Sequence, residues 1–180
     1  IVALLAHAAS GDDALLGLAA TYLSFLEDAW NPEAGRFRNH LSFQRTWSDA
    51  VGSEDCHGRA LWGLGYTVAF APDDGMIHLA VQLFDQAIGT VPSFTSLRTW
   101  AFALLGSEYY LRRFGGAWAV QTVGEPLATR LYEGYRANAG RDWRWPETIL
   151  TYANGKLPHA LLLWGRRLGR ADFTDAALAA

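Results

Sequence analysis

Acidic, histidine and arginine side chains crowd the start of an apolar segment in the first third of the chain. Glu54, Asp55 and His57 lie within four residues, and Arg59 follows two positions later. The next segment, Ala60–Phe70, carries no charge. Because charged groups beside a buried segment are costly to desolvate unless they are paired, the pattern predicts one wall of a polar pocket at the mouth of a buried helix.

A second polar loop, Gly140–Ala153, contains Glu147, which is a candidate partner for these carboxylates. Glycoside hydrolysis needs two carboxyl groups that flank the scissile bond, about 5–5.5 Å apart in retaining enzymes and about 6.5–9.5 Å apart in inverting ones. Glu54 or Asp55 could form such a pair with Glu147. An apolar environment would raise the pKa of one carboxyl and make it the general acid, while the other carboxylate activates water.

The three carboxylates also have structural alternatives. Asp55 could cap the buried helix, and Glu54 could interact with the positive end of that helix. Glu147 could pair with Arg141 or Arg144 of its own loop.

His57 and Arg59 have the same two kinds of role. His57 could act as a general acid or base, as in sugar epimerisation. Arg59 could grip a substrate carboxylate or orient Asp49 or Glu54. The alternative is a buried polar network that holds the helix mouths together.

Further loop residues are suited to hold a sugar. Exposed indole rings stack on sugar faces and their N–H groups donate to hydroxyls, although the same rings could instead plug the end of the core. Besides Arg59, the residues predicted to bind substrate are Arg45, Trp47, Asp49, Trp143, Trp145, Tyr152 and Asn154, and Asn154 could alternatively cap a helix. No histidine or cysteine spacing indicates a metal site, and we expect no cofactor.

Helical periodicity dominates the remaining sequence. The bodies of the second, fourth and sixth predicted helices are apolar all round, which predicts that protein surrounds them. We expect no strand pair, a loop at Thr90–Ser93, and a kink or restart where Gly124-Glu125-Pro126 interrupts the fifth helix. The predicted helices are Asp12–Trp30, Ser53–Ala71, Met76–Ile88, Phe94–Phe114 and Trp118–Asn138, with two more that start near Asn154 and Asp172.

Amphipathic helices alternate with buried ones, so the chain predicts an all-α fold of antiparallel hairpins, each with an inner and an outer helix. Around a common centre such hairpins form a complete or partial toroid. The loops that enter the inner helices, Gly35–Gly52 and Gly140–Ala153, would then converge at one end. Residues 1–180 are expected to form a single domain, a fragment of a longer toroid, since no Met begins the chain and the last helix is cut short.

Composition excludes several classes of function. A net charge of −3 without a basic run argues against nucleic-acid binding. No apolar run reaches the ~18 residues of a membrane span, and the apolar Ile1–Ala9 lacks the basic flank of a signal peptide. Cys56 is the only cysteine, so the chain forms no internal disulfide. We expect a cytoplasmic protein.

Two motifs carry a resemblance to a known group: S-F-Q-R-T-W with G-S-E-D-C-H-G-R-A-L-W-G-L-G, and D-W-R-W-P-E-T-I-L-T-Y-A-N-G-K-L-P-H-A-L. Over Phe37–Gly169 the chain resembles the six-hairpin (α/α) toroid proteins, above all the helical domains found alone or fused to bacterial glycosyltransferases. The wider superfamily includes inverting glycoside hydrolases, unsaturated glucuronyl hydrolases, sugar 2-epimerases and lanthionine-type cyclases.

The resemblance implies a carbohydrate substrate or glycan, and a fused or associated glycosyltransferase as partner. It also implies functional acidic or histidine residues on the loops entering the inner helices, where Glu54, Asp55, His57 and Glu147 lie. Two features depart from the pattern. The chain supplies about half of the helices of a complete ring, and Glu147 follows Pro146 where an aromatic residue is expected.

Three functions follow as hypotheses. The first is a glycosidase-like domain that uses Glu54 or Asp55 with Glu147 as acid and base. The second is a non-catalytic domain that binds glycan or scaffolds a glycosyltransferase. The third is a sugar epimerase or isomerase that uses His57.

Overall fold

The computed structural model describes all 180 residues, and almost all regular structure is helical. A 3-10 helix at Ile88–Ser93 precedes α5, and two short strands, β1 (Trp30–Asn31) and β2 (Arg36–Phe37), pair antiparallel. The all-α prediction is confirmed. The helices are α1 (Val2–Ser10), α2 (Asp13–Ala29), α3 (Glu54–Phe70), α4 (Asp74–Ala87), α5 (Leu97–Arg113), α6 (Trp118–Asn138), α7 (Lys156–Leu168) and α8 (Ala171–Ala179).

Local capping bonds set where three of these helices begin. The side chains of Ser53, Asp73 and Ser96 each accept a hydrogen bond from a backbone N–H in the first turn of α3, α4 and α5. Such a cap is worth about 1 kcal/mol. Since Ser53 caps α3, the alternative in which Asp55 is the cap is wrong, and the Asp55 carboxylate is available for other contacts.

Helices α3, α5 and α7 lie side by side and point the same way. Gly58 and Gly65 of α3 abut Thr99 and Gly106 of α5, so both contacts are offset by 41 residues along the chain. Between α5 and α7, the indole N–H of Trp164 donates to the carbonyl of Leu104 at 2.9 Å. Helices α4, α6 and α8 pack on α3, α5 and α7 in turn, which makes a row of helical hairpins.

Three local expectations need correction. The segment after α2 forms the β1–β2 pair because a turn with left-handed Gly35 (φ 61°) reverses the chain. The expected loop at Thr90–Ser93 is part of the 3-10 helix. Helix α6 continues through Pro126 without a break, since a proline removes only one hydrogen bond from a helix packed on its neighbours.

The core is one continuous cluster of 39 buried residues drawn from every helix. Helix α3 is not covered on all sides, contrary to expectation. Arg59 and Phe70 are exposed, and Asp55 and Trp62 are half-buried on the same side of the helix. Neighbouring helices cover this side only in part: Phe102 and Tyr109 of α5 contact its aromatic side chains, while Arg59 and Phe70 stay open to solvent.

None of the helices combines the length and the apolar character that crossing a bilayer requires.

Candidate functional site

Both polar loops meet the N-terminal ends of α3 and α5. In the first loop, the Asn39 side-chain oxygen accepts hydrogen bonds from the backbone N–H and hydroxyl of Ser53. In the second loop, the Tyr152 hydroxyl donates to Asp55 at 2.8 Å. The N-terminal end of α3, called the α3 mouth below, is therefore held between the two loops by polar contacts.

Glu54 binds the start of the neighbouring helix and does not serve its own. Its carboxylate accepts hydrogen bonds from the backbone N–H groups of Thr95 and Ser96, at 3.0 and 2.9 Å. These donors precede α5, where N–H groups lack partners within the helix and the helix dipole is positive. Glu54 thus ties α3 to α5, and the carboxylate is occupied by main-chain donors.

Asp55 has both carboxylate oxygens engaged. One accepts from Nε of Arg59 at 2.7 Å and the other from the Tyr152 hydroxyl. The Arg59 guanidinium also lies over the Phe102 ring, 4.5 Å from its centroid. Burial first, then the hydrogen bond to Asp55, raises the pKa of Tyr152, so its hydroxyl remains a donor.

Arg98 fastens the second loop to α5, and sequence reasoning missed this residue. Only 6% of Arg98 is exposed. Its guanidinium donates to the Glu147 carboxylate, to the Tyr152 carbonyl at 2.7 Å and to the Asn154 side chain at 3.1 Å. A charge in the first turn of an apolar helix could have found Arg98 in the sequence, although it stands alone there and not in a cluster as at the start of α3.

The contacts of Arg98 change the expected roles of two loop residues. Glu147 pairs with Arg98 and with neither arginine of its own loop, because the loop folds back onto α5. Asn154 does not cap α7: the cap position is Gly155, and the Asn154 side chain serves Arg98 and the backbone of Thr151 instead.

His57 is fully buried in the core. Its Nε2 lies 3.0 Å from the carbonyl oxygen of Ala87, and the rings of Phe37 and Phe94 pack against the imidazole. Burial is the main cause that lowers the pKa of His57 to about 4, so the imidazole is neutral near pH 7. A sealed, neutral histidine has no access to a substrate.

The expected binding residues of the first loop hold that loop together. Asp49 accepts hydrogen bonds from the N–H groups of Asn39 and His40, and these bonds lower its pKa although desolvation opposes the shift. The Trp47 ring packs 5.6 Å from the Phe25 ring. Arg45 is exposed in a left-handed turn (φ 59°).

The two tryptophans of the second loop differ in exposure. Trp143 is partly exposed and its N–H donates to the Glu147 carbonyl at 2.6 Å. Trp145 is buried and lies 6.4 Å from the Tyr135 ring. Trp145 is therefore a core residue, which was the structural alternative for these rings, whereas Trp143 and Tyr152 remain accessible at the surface.

An aromatic groove runs along the open side of α3, beyond the α3 mouth. Its volume is about 470 Å³. Sequence reasoning assigned its aromatic residues to the core, although their spacing along α3 places them on one face with Asp55 and Arg59. The groove is lined by Ile1, Leu5, Trp62, Tyr66, Phe70, Tyr109, Arg112 and Lys156.

The groove walls combine rings with cations. Trp62 stacks on Phe102 with 5.6 Å between centroids, and Tyr66 meets Tyr109 edge to face at 5.2 Å. The Lys156 ammonium lies 4.2 Å from the Trp62 ring centroid. A second groove of about 370 Å³ lies beside Asp55 and Arg59, next to Ser53 and Cys56.

The candidate carboxylates have three different sets of partners. Glu54 binds the backbone before α5, Asp55 binds Arg59 and Tyr152, and Glu147 binds Arg98. Only Asp55 lines a groove. Nowhere in the chain do three or more histidine, cysteine or acidic residues come together in a way that could hold a metal ion.

Comparisons of the chain with family models, with curated proteins and with solved structures gave no match.

Proposed function

We propose that this chain is a carbohydrate-binding helical domain of the six-hairpin (α/α) toroid type. The observation that carries the proposal is the groove of about 470 Å³, whose walls are formed by Trp62, Tyr66, Phe70 and Tyr109. Aromatic faces stack on the C–H faces of sugars, while phenol and indole groups hydrogen-bond to hydroxyls. The volume lies in the range of about 300–1,000 Å³ that is typical of ligand sites.

The contacts of the carboxylates favour binding over acid/base chemistry. A general acid needs a proton that it can deliver, and a general base needs a free lone pair within reach of its substrate. Glu54 is occupied by main-chain donors, and Glu147 is bound to Arg98 through one oxygen. The other oxygen of Glu147 is buried without a hydrogen-bond partner, and neither glutamate lines the groove. The burial of His57 likewise disfavours a sugar isomerase.

A glycosidase remains a second candidate, and Asp55 is the observation that favours it. Asp55 lines the smaller groove beside Arg59, and its side chain is 31% exposed. If Asp55 acts on a glycoside, Asp55→Asn abolishes hydrolysis of chromogenic glycosides while the fold is retained. If the wild-type chain hydrolyses none of these glycosides, the glycosidase candidate is wrong.

The toroid part of the proposal is supported by the parallel row of α3, α5 and α7. Each of these helices is followed by a helix that packs against it. In this proposal the row is an arc of inner helices, and the loops at its N-terminal end form the rim. A fused or associated glycosyltransferase, which rests on the resemblance, completes the proposal, together with the cytoplasmic location that the composition leads us to expect.

A glycan array tests the proposed function. We expect the folded chain to bind a subset of neutral or anionic oligosaccharides, and Trp62→Ala to reduce the signal at least tenfold. Phe70→Ala provides a second groove variant, since Phe70 is 47% exposed and its loss disturbs the core little. Circular dichroism confirms that each variant is folded.

Trp118→Ala is the matched control, because Trp118 is 75% exposed at the start of α6 and does not line the groove. Its binding should equal that of the wild type. The proposal is wrong if the folded wild type binds none of the arrayed oligosaccharides. If both groove variants bind as the wild type does, the groove is not the site.

A further inference from the structure

We infer that the aromatic groove recognises a sugar bearing a carboxylate or phosphate group, with Lys156 and Arg112 as the residues that bind the anion. The inference rests on the proposed function for the sugar and adds the charge of the ligand. Its basis is an excess of positive charge in a groove that no acidic side chain lines.

Lys156 supplies the first uncompensated charge. It is the only lysine of the chain, in which the other fourteen basic residues are arginines. Its ammonium lies over the Trp62 ring, and it forms no salt bridge. The ring attracts the cation without neutralising it, so the ammonium can still bind an anion stacked beside Trp62.

Arg112 supplies a second charge that is only partly compensated. Glu108 lies 2.6 Å from Arg167 through Oε2 and 3.6 Å from Arg112 through Oε1, so one negative charge is shared between two arginines. Arg167 holds the closer bond. The Arg112 side chain is 45% exposed and extends over the Tyr109 ring, 4.9 Å from its centroid.

The titration of a neighbouring histidine reflects both charges. Burial, followed by the charges of Lys156 and Arg112, lowers the pKa of His159. All three residues therefore lie in one electropositive environment on the same side of the molecule.

The groove has the parts that an anionic sugar needs. Tyrosine, tryptophan and phenylalanine rings offer faces for the sugar, and the planar guanidinium of Arg112 can bind a carboxylate or phosphate through two parallel bonds. Lys156 acts as a compact point charge. Because the groove is partly enclosed, these attractions are stronger than they would be in open water.

Titration of the ¹⁵N-labelled chain with glucose, glucuronate and glucose 6-phosphate, followed by NMR, tests the inference. We expect both anionic sugars to bind at least tenfold more tightly than glucose and to shift the Trp62 indole signal. Lys156→Gln and Arg112→Gln should each remove most of this preference, measured in each variant as the ratio of its affinities for the anionic sugar and for glucose. Arg166→Gln is the matched control, since Arg166 is exposed on α7 outside the groove.

Each outcome bears on a different claim. Equal affinity for glucose and the two anionic sugars overturns the inference and leaves the proposed function standing. Inorganic phosphate that binds as tightly as glucose 6-phosphate also overturns it, because the ion alone is then recognised. If no sugar binds, here or on the array, the proposed function fails and the inference fails with it. A preference for either anionic sugar supports the inference and identifies the group.

The single lysine gives an independent readout. Acylation by an amine-reactive ester, followed by peptide mapping, reports the accessibility of Lys156 separately from that of the terminal amine. Glucuronate or glucose 6-phosphate should slow acylation of Lys156, whereas glucose at the same concentration should not. Acylation that all three sugars leave unchanged argues against a contact with Lys156.

Discussion

Gly65 of α3 lies directly against Gly106 of α5. A Cβ atom on Gly65 would be 2.0 Å from the carbonyl oxygen of Gly106, and one on Gly106 would be 2.3 Å from the carbonyl oxygen of Leu61. Carbon and oxygen atoms that are not bonded cannot approach so closely. The two backbones therefore touch, and this contact fixes the separation of the helices that form the groove and its mouth.

Replacing either glycine of this contact should destabilise the fold strongly. Gly65→Ala or Gly106→Ala forces α3 and α5 apart, and we expect the free energy of unfolding to fall by about 3 kcal/mol, at the upper end of overpacking effects. Urea unfolding followed by circular dichroism measures the change.

Gly63 provides the matched control on the same helix. Nothing lies within 4 Å of a Cβ atom added there, so Gly63→Ala should stabilise the chain by up to about 1 kcal/mol through helix propensity. Equal effects of Gly63→Ala and Gly65→Ala would contradict the backbone contact.

The burial of His57 should make stability depend on pH. Burial lowers the pKa of His57 to about 4 in the folded chain, below the usual histidine value of about 6.5. Between these values the unfolded chain binds the extra proton, so the stabilising contribution is fully present above pH 6.5 and is lost as the pH falls through 4. The loss amounts to about 3 kcal/mol.

Urea unfolding of the wild type and of His57→Gln between pH 7 and 4 isolates this contribution. The variant should show a shallower fall in stability over that range. His78→Gln replaces an exposed histidine on α4 and should retain the wild-type slope. Parallel slopes for the wild type and His57→Gln would refute the prediction.

The contacts of Arg98 predict that it holds the second loop in place. Arg98→Met keeps the apolar stem but leaves Glu147 and Asn154 without their partner. We expect a loss of about 3 kcal/mol, as is typical when one member of a buried ion pair is removed. Hydrogen exchange should accelerate across residues 140–154.

Arg141→Met tests whether the loss of any positive charge from this region is enough to loosen the second loop, because Arg141 is exposed in that loop. It should leave both stability and exchange unchanged. If the loop exchanges as slowly in Arg98→Met as in the wild type, Arg98 does not hold the loop in place.

The Cys56 thiol should react slowly. Burial first, then the charges of Asp49 and Asp55, raises its pKa, so less of the reactive thiolate is present at pH 8. Because Cys56 is the only cysteine, reaction with a chromogenic disulfide reports on this thiol alone. The folded chain should react several-fold more slowly than the same chain in urea, and equal rates would contradict the burial.

Helix class and most helix positions were predictable from the sequence because their signals are local. The apolar periodicity acts within a few residues of the helix that it defines, although the cap of α3 is Ser53 and not Asp55, the residue that the sequence suggested. Pro126 misled this reasoning, since helix continuity there depends on packing. Gly124, two residues before it, is required by a residue far along the chain, because a Cβ atom on Gly124 would lie 2.0 Å from the Trp164 ring.

The sequence by itself determined an all-helical chain, its main turns and the two loops rich in polar groups. Only the tertiary structure decided which groups meet: Glu147 pairs with Arg98 across 49 residues, and Tyr152 reaches Asp55 across 97. It also decided that α3 keeps one aromatic face open. Composition shows that a helix has apolar surface, but which neighbour covers each face depends on contacts between segments far apart in the chain.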